Sequence, residues 1–108
     1  MAKYYVLNGQ KPVRVEDPTK WAEWMRSSVR DRLVGQNIVN GIMVRTVFTG
    51  MDLERHRGRP HLFESYAWRI GADSPEFTEY FCSWKGAVAG HQRMLERVST
   101  ELAEVKAA

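Results

Sequence analysis

In two segments, 42–49 and 61–70, apolar residues recur at every second position, and from residue 84 onward they recur at every third or fourth. A period of two marks a strand with one face in a core, and a period near 3.6 marks a helix lying on such a face. A chain of 108 residues that makes this switch is held to one small domain, spanning 1–108, of the α+β class. The first segment divides into Ile42, Val44, Thr46, Phe48 and Met43, Arg45, Val47, Thr49. The second divides into Leu62, Glu64, Tyr66, Trp68, Ile70, the more apolar set, and Phe63, Ser65, Ala67, Arg69. The helical stripe is Trp84, Val88, His91, Leu95, Val98, Leu102, Val105, with Ser83 as its cap and an end near residue 104.

The remaining elements follow from local signals. Lys3-Tyr-Tyr-Val-Leu7 reads as a strand, Asn8-Gly9 as a hairpin turn, and 13–15 as the return strand, with Pro12 suited to an edge. Asp17-Pro18 is a helix start, Asp as cap and Pro in the first turn. Trp21, Trp24, Met25 and Val29 carry that helix to residue 33, with Gly35 ending it and a polar turn at 37–41. Residues 50–60 read as a loop and 76–82 as a last strand. The expected order is ββαβββα: a two-layer arrangement with one antiparallel sheet of four to five strands and both helices on one face.

Composition narrows the function classes. Sixteen Lys and Arg against 13 Asp and Glu give a net charge of +3. The pI near 9.2 permits an acidic or phosphate-bearing partner without demanding one. No apolar run approaches the ~20 residues of a membrane-spanning helix, and mean hydropathy is −0.46, so no membrane association is expected. A single cysteine, Cys82, excludes an internal disulfide. With no apolar signal segment after Met-Ala-Lys-Tyr-Tyr, the expected compartment is a reducing cytoplasm.

Three groups of residues carry chemistry. Glu64, on the apolar-rich face of its strand, and His91, inside the helical stripe, form a candidate acid/base pair if helix and strand pack together. The same two residues also read as a structural hydrogen bond between half-buried groups. The loop Gly50-Met-Asp-Leu-Glu-Arg-His-Arg-Gly-Arg-Pro60 interleaves Arg55, His56, Arg57 and Arg59, a pattern suited to phosphate oxygens or to a solvated hairpin. Twelve aromatic residues exceed what a core of this size hides, so some, Trp68 among them, are expected at a binding surface. His56, His61 and His91 lack metal-ligand spacing, Cys82 lacks an adjacent histidine, and no cofactor motif is present; no metal or cofactor is expected.

Several short segments in a fixed order carry a resemblance. They are Lys3-Tyr-Tyr-Val-Leu7, Thr46-Val-Phe-Thr-Gly50-Met-Asp52, Leu62-Phe-Glu64, Ser83-Trp84 and Ala87-Val-Ala-Gly-His91. Together they resemble a family of small bacteriophage and prophage proteins, over roughly residues 3–98. Leu53 stands where that family often has histidine. The resemblance implies a phage-encoded accessory protein acting in the host bacterial cytoplasm, and it draws attention to Asp52 beside Glu64 and His91. The expected function is non-catalytic binding, and inhibition or modulation, of a host macromolecule, foremost a host protein such as a defence or metabolic factor. The alternatives are nucleic-acid or nucleotide binding through the 50–60 loop and a small acid/base enzyme using Glu64 and His91. The helix that overhangs the sheet, and an edge strand, also offer homodimer surfaces.

Overall fold

A computed structural model describes residues 2–54 and 58–102. The fold is α+β, with its antiparallel strands in two sheets rather than one. Strands β1 (Lys3–Asn8), β2 (Lys11–Val15) and β5 (Met51–Asp52) make a three-stranded sheet in the order β2-β1-β5. Strands β3 (Leu33–Val39), β4 (Ile42–Phe48), β6 (Phe63–Arg69) and β7 (Phe77–Phe81) make a four-stranded sheet in that order. Helix α1 (Pro18–Ser27) packs on β1 and β2, whereas α2 (Trp84–Arg97) packs on β3, β4, β6 and β7. The two helices therefore serve different sheets. A π-helical turn, Val98–Leu102, continues α2.

Local chemistry explains most boundaries. Asp17 caps α1 by accepting from Thr19 N at 2.9 Å, with Pro18 in the first turn, and Ser83 caps α2 by accepting from Gly86 N at 3.0 Å. Asn40 and Gly41 take φ of 50° and 78°, the left-handed pair that a two-residue hairpin needs to follow strand twist. That turn joins β3 to β4.

The expected first helix is too long. It stops at Ser27, and the segment placed in its last turn and the following polar turn forms β3. Leu-Val-Gly-Gln-Asn-Ile-Val is rich in β-branched residues, and pairing with β4 satisfies a full ladder from Leu33↔Val47 to Val39↔Ile42. That pairing outweighs the weak helical pattern, which left Val29 53% exposed. Gly35 thus sits in a strand, at a bulge between Leu33 and Gly35, and does not end a helix.

Two hydrophobic clusters hold the layers together. Ile42, Val44, Ala67, Met94 and Val98 join the four-stranded sheet to the C-terminal half of α2. Leu7, Phe48, Leu62, Phe63 and Ala87, with Trp24 and Trp84 against them, join both sheets and both helices. Phe48 is the centre of the second cluster, with rings of Trp24 and Phe63 edge-on at 5.9 and 5.2 Å. Burying a side chain of that size contributes roughly 1.5–3 kcal/mol. The buried side of α2 is Ala87, Gly90, His91 and Met94, while Val88 is 48% exposed. The helix is turned from the expected stripe because small residues let it approach the sheet more closely.

Candidate functional site

The strand that carries Glu64 has the opposite phase to the one expected. Phe63, Ser65 and Ala67 are buried, and Glu64, Tyr66 and Trp68 lie on the face away from α2. Glu64 and His91 are thus on opposite sides of the sheet, and the acid/base pair does not form. Phe63 and Ala67 decide the phase because they pack in the two clusters, and a one-residue slip would carry every side chain to the other face. Asp52 is in the other sheet, where its Oδ1 accepts from Glu54 N at 2.9 Å. Arg55, His56 and Arg57 lie outside the described residues. Arg59 is exposed, and its carbonyl accepts from the Cys82 thiol at 3.6 Å.

His91 has different partners. Thr46 on β4 and Ser65 on β6 are direct cross-strand neighbours, both fully buried, with hydroxyls 2.8 Å apart. Thr46 Oγ1 lies 2.6 Å from His91 Nδ1, and Asn37 Oδ1 lies 2.8 Å from His91 Nε2. An amide oxygen accepts only, so Nε2 carries the proton and Nδ1 accepts. Ser65 then donates to Thr46, Thr46 to His91, and His91 to Asn37. Each donor in this chain has an acceptor. The polar layer separates the two hydrophobic clusters: Ile42, Val44, Ala67 and Met94 lie on one side, and Phe48, Phe63 and Ala87 on the other. Gly35 lets the imidazole lie flat against β3, since a Cβ there would stand 2.9 Å from the ring. The arrangement fits the structural reading of His91: it fixes helix to sheet and presents no free base. Sequence spacing alone does not identify Thr46, Ser65 and Asn37 as its partners. The available signal was that Thr46 and Ser65 each interrupt an apolar set of their strand.

Burial holds the pKa of His91 below the ordinary histidine value, because the imidazolium loses hydration there. The unfolded chain, titrating near 6.5, then takes up a proton that the folded chain refuses. This site's contribution is complete above about pH 6.5 and is lost as pH falls toward the folded pKa. The slope is at most ~1.4 kcal/mol per pH unit for one proton. Burial moves the Glu64 carboxyl the other way, above its usual range, so that group favours the fold on acidification, at lower pH. Denaturant melts at about pH 7.5 and 5.5, chosen to bracket the histidine range, should show wild-type stability falling and a His91→Leu variant falling less. Equal losses in both proteins would mean that His91 titrates alike folded and unfolded.

The face of the four-stranded sheet away from α2 is the surface left for a ligand. The register places Ile38, Met43 and Trp68 in one cross-strand row, Gln36, Arg45, Tyr66 and Thr78 in the next, and Leu33, Val47, Glu64 and Tyr80 in the third. Among the described residues no helix lies across it, since α2 takes the other face and α1 packs on β1 and β2. Ile38 is 59% exposed and Tyr80 50%. The Tyr66 and Trp68 rings meet edge-on at 6.3 Å and, with residues 72–75, line a groove of about 280 Å3. Among the described residues, no group of three His, Cys, Asp or Glu is placed to hold a metal ion, and no helix is long and apolar enough to cross a membrane. Comparison with family models, curated proteins and solved structures finds no match to this chain.

Proposed function

We propose that this chain is a small phage-type accessory protein that binds a macromolecule of its host cell and modulates it without catalysis, working through the open face of the four-stranded sheet. The observation that carries the reading is that face itself: Met43, Val47, Tyr66 and Trp68 side by side with Arg45, and no described helix across them. Aromatic and arginine side chains at the centre of a surface are the residue types that most often dominate binding energy. The closed hydrogen-bond chain at His91, with Glu64 on the far side of the sheet, removes the geometric support for the acid/base alternative. The phage origin and the host cytoplasm as the place of action rest on the resemblance of the segments Lys3–Leu7 to Ala87–His91.

Tagged protein incubated with bacterial lysate, with and without nuclease, should retain a macromolecule. A Tyr66→Ala, Trp68→Ala double variant with an unchanged melting temperature should retain roughly a tenth as much or less, the loss expected when central aromatics are truncated. Retention that the double variant leaves intact would overturn this reading of the face.

A further inference from the structure

Among the described residues, two arginines, Arg45 on this face and Arg32 at the head of β3, have no carboxylate partner. Arg32 stands at the head of β3, where its carbonyl accepts from Phe48 N at 2.8 Å and its guanidinium reaches back to Phe48 O at 3.4 Å. Arg45 stands on β4, directly cross-strand from Tyr66. The Nε–H of each is buried and, among the described residues, meets no acceptor. The described ion pairs involve other residues: Lys3 with Glu54, Arg14 with Glu16, Arg69 with Glu76, and Arg97 with Glu79 and Glu101. Glu64 shares the face but sits between Val47 and Tyr80 and pairs with neither arginine. Burial, and next the charge of Arg45, lower the proton affinity of Arg32, so the two guanidinium groups act on each other as like charges.

A buried donor without an acceptor is unfavourable until an anion arrives, and the positive charge of Arg45 adds to the cost of burying Arg32. A single carboxylate would neutralise one of the two. A phosphodiester chain offers several oxygens at successive positions and matches the guanidinium fork. Beside Arg45 lies Tyr66, whose ring lines the groove with Trp68, and Asp73 and Ser74 in the same lining offer polar groups to a base edge. Bases inside a duplex are stacked on each other, and only an unpaired strand can lay one on an aromatic ring.

We infer that the open face binds single-stranded nucleic acid, with phosphates on Arg32 and Arg45 and a base against Trp68 and Tyr66. The inference rests on the binding reading above and names the class of its partner. It also moves the nucleic-acid contact from the arginine-rich loop to the sheet.

The test is anisotropy of labelled single-stranded DNA and RNA, about 12 nucleotides long to cover the usual site sizes, titrated with the full chain. Raising salt from about 50 to 200 mM should weaken binding roughly sevenfold if two phosphates are held. Trp68→Leu should weaken it about tenfold without changing the salt slope. Arg45→Gln should flatten the slope, and Arg45→Lys should restore the slope but not the full affinity. Each variant's melting temperature checks that it folds. Three results would each overturn the inference: no binding at the lower salt, equal binding of duplex, or binding that inorganic polyphosphate matches and Trp68→Leu leaves unchanged. A dimer that buries Trp68, seen by sedimentation, would overturn it too. If oligonucleotides fail while nuclease-resistant capture still needs Tyr66 and Trp68, the inference falls and the binding reading stands. If both fail, both fall.

Discussion

Gly50→Ala should lower the melting temperature by on the order of 15 °C, from a cost of about 4 kcal/mol. Gly50 is where the chain leaves β4 of one sheet for β5 of the other, with φ +68°. Its carbonyl accepts from Tyr5 N at 2.8 Å, which ties the two sheets together. A Cβ at this position would stand 2.7 Å from the Tyr5 carbonyl oxygen, 3.0 Å from the Phe48 ring and 3.1 Å from Trp21 Nε1. The left-handed backbone alone costs a non-glycine residue about 1–2 kcal/mol. The rest comes from pushing against backbone and the ring at the centre of a core cluster, neither of which can swing aside. Gly9→Ala is the control: φ is +63°, with nothing within 4 Å of the added atom, so only the smaller backbone penalty applies. Equal losses for the two variants, measured by thermal melts, would show that the close approach at Gly50 is not rigid.

His91→Leu should cost about 2–3 kcal/mol, or roughly 10 °C of melting temperature, although leucine fills much of the same volume. The loss comes from the Thr46 hydroxyl. It donates to Nδ1 at 2.6 Å, and with leucine in place it is buried with no acceptor. Ser65 cannot absorb the proton without giving up its own donation to Thr46. Removing the buried members at once should therefore recover most of the stability: His91→Leu with Thr46→Val and Ser65→Ala leaves no buried orphan, since Asn37 is exposed to water, and apolar replacement of a satisfied network is close to neutral. A triple variant no more stable than the single would mean that the cost lies in leucine packing rather than in the unpaired hydroxyl.

These two sites differ in how far the sequence revealed them. His91 stood out because a polar residue interrupts an apolar stripe at helical spacing. Gly50 gives no more local signal than the start of a loop, since its need for glycine comes largely from Tyr5, 45 positions earlier in the chain. The open face was half legible. An excess of aromatics implies that some are exposed, Trp68 among them. Arg32 and Arg45 carry no such local signal: Arg32 falls inside the helix expected to residue 33, which ends at Ser27, and Arg45 is one polar position on an alternating strand.

The sequence by itself determined the class, the alternation of β4, the caps of both helices and the hairpin turn at Asn8-Gly9, while the polar turn expected over 37–41 shrinks to its last two residues because 37–39 join β3. These depend on neighbours within a few positions: Asp17 and Ser83 reach their own helix ends, and a period of two needs no partner strand to be visible. Tertiary structure decided the end of α1, the division into two sheets, the inward face of β6 and the partners of His91. Each of those is a choice between local patterns of similar strength. Leu33–Val39 is a strand because β4 offers it a ladder, and Glu64 faces outward because Phe63 and Ala67 fit the two core clusters under α2, where the helix packs too close for Tyr66 and Trp68. Long-range pairing and packing settle such near ties, and their energies are properties of contacts that the chain makes only once folded.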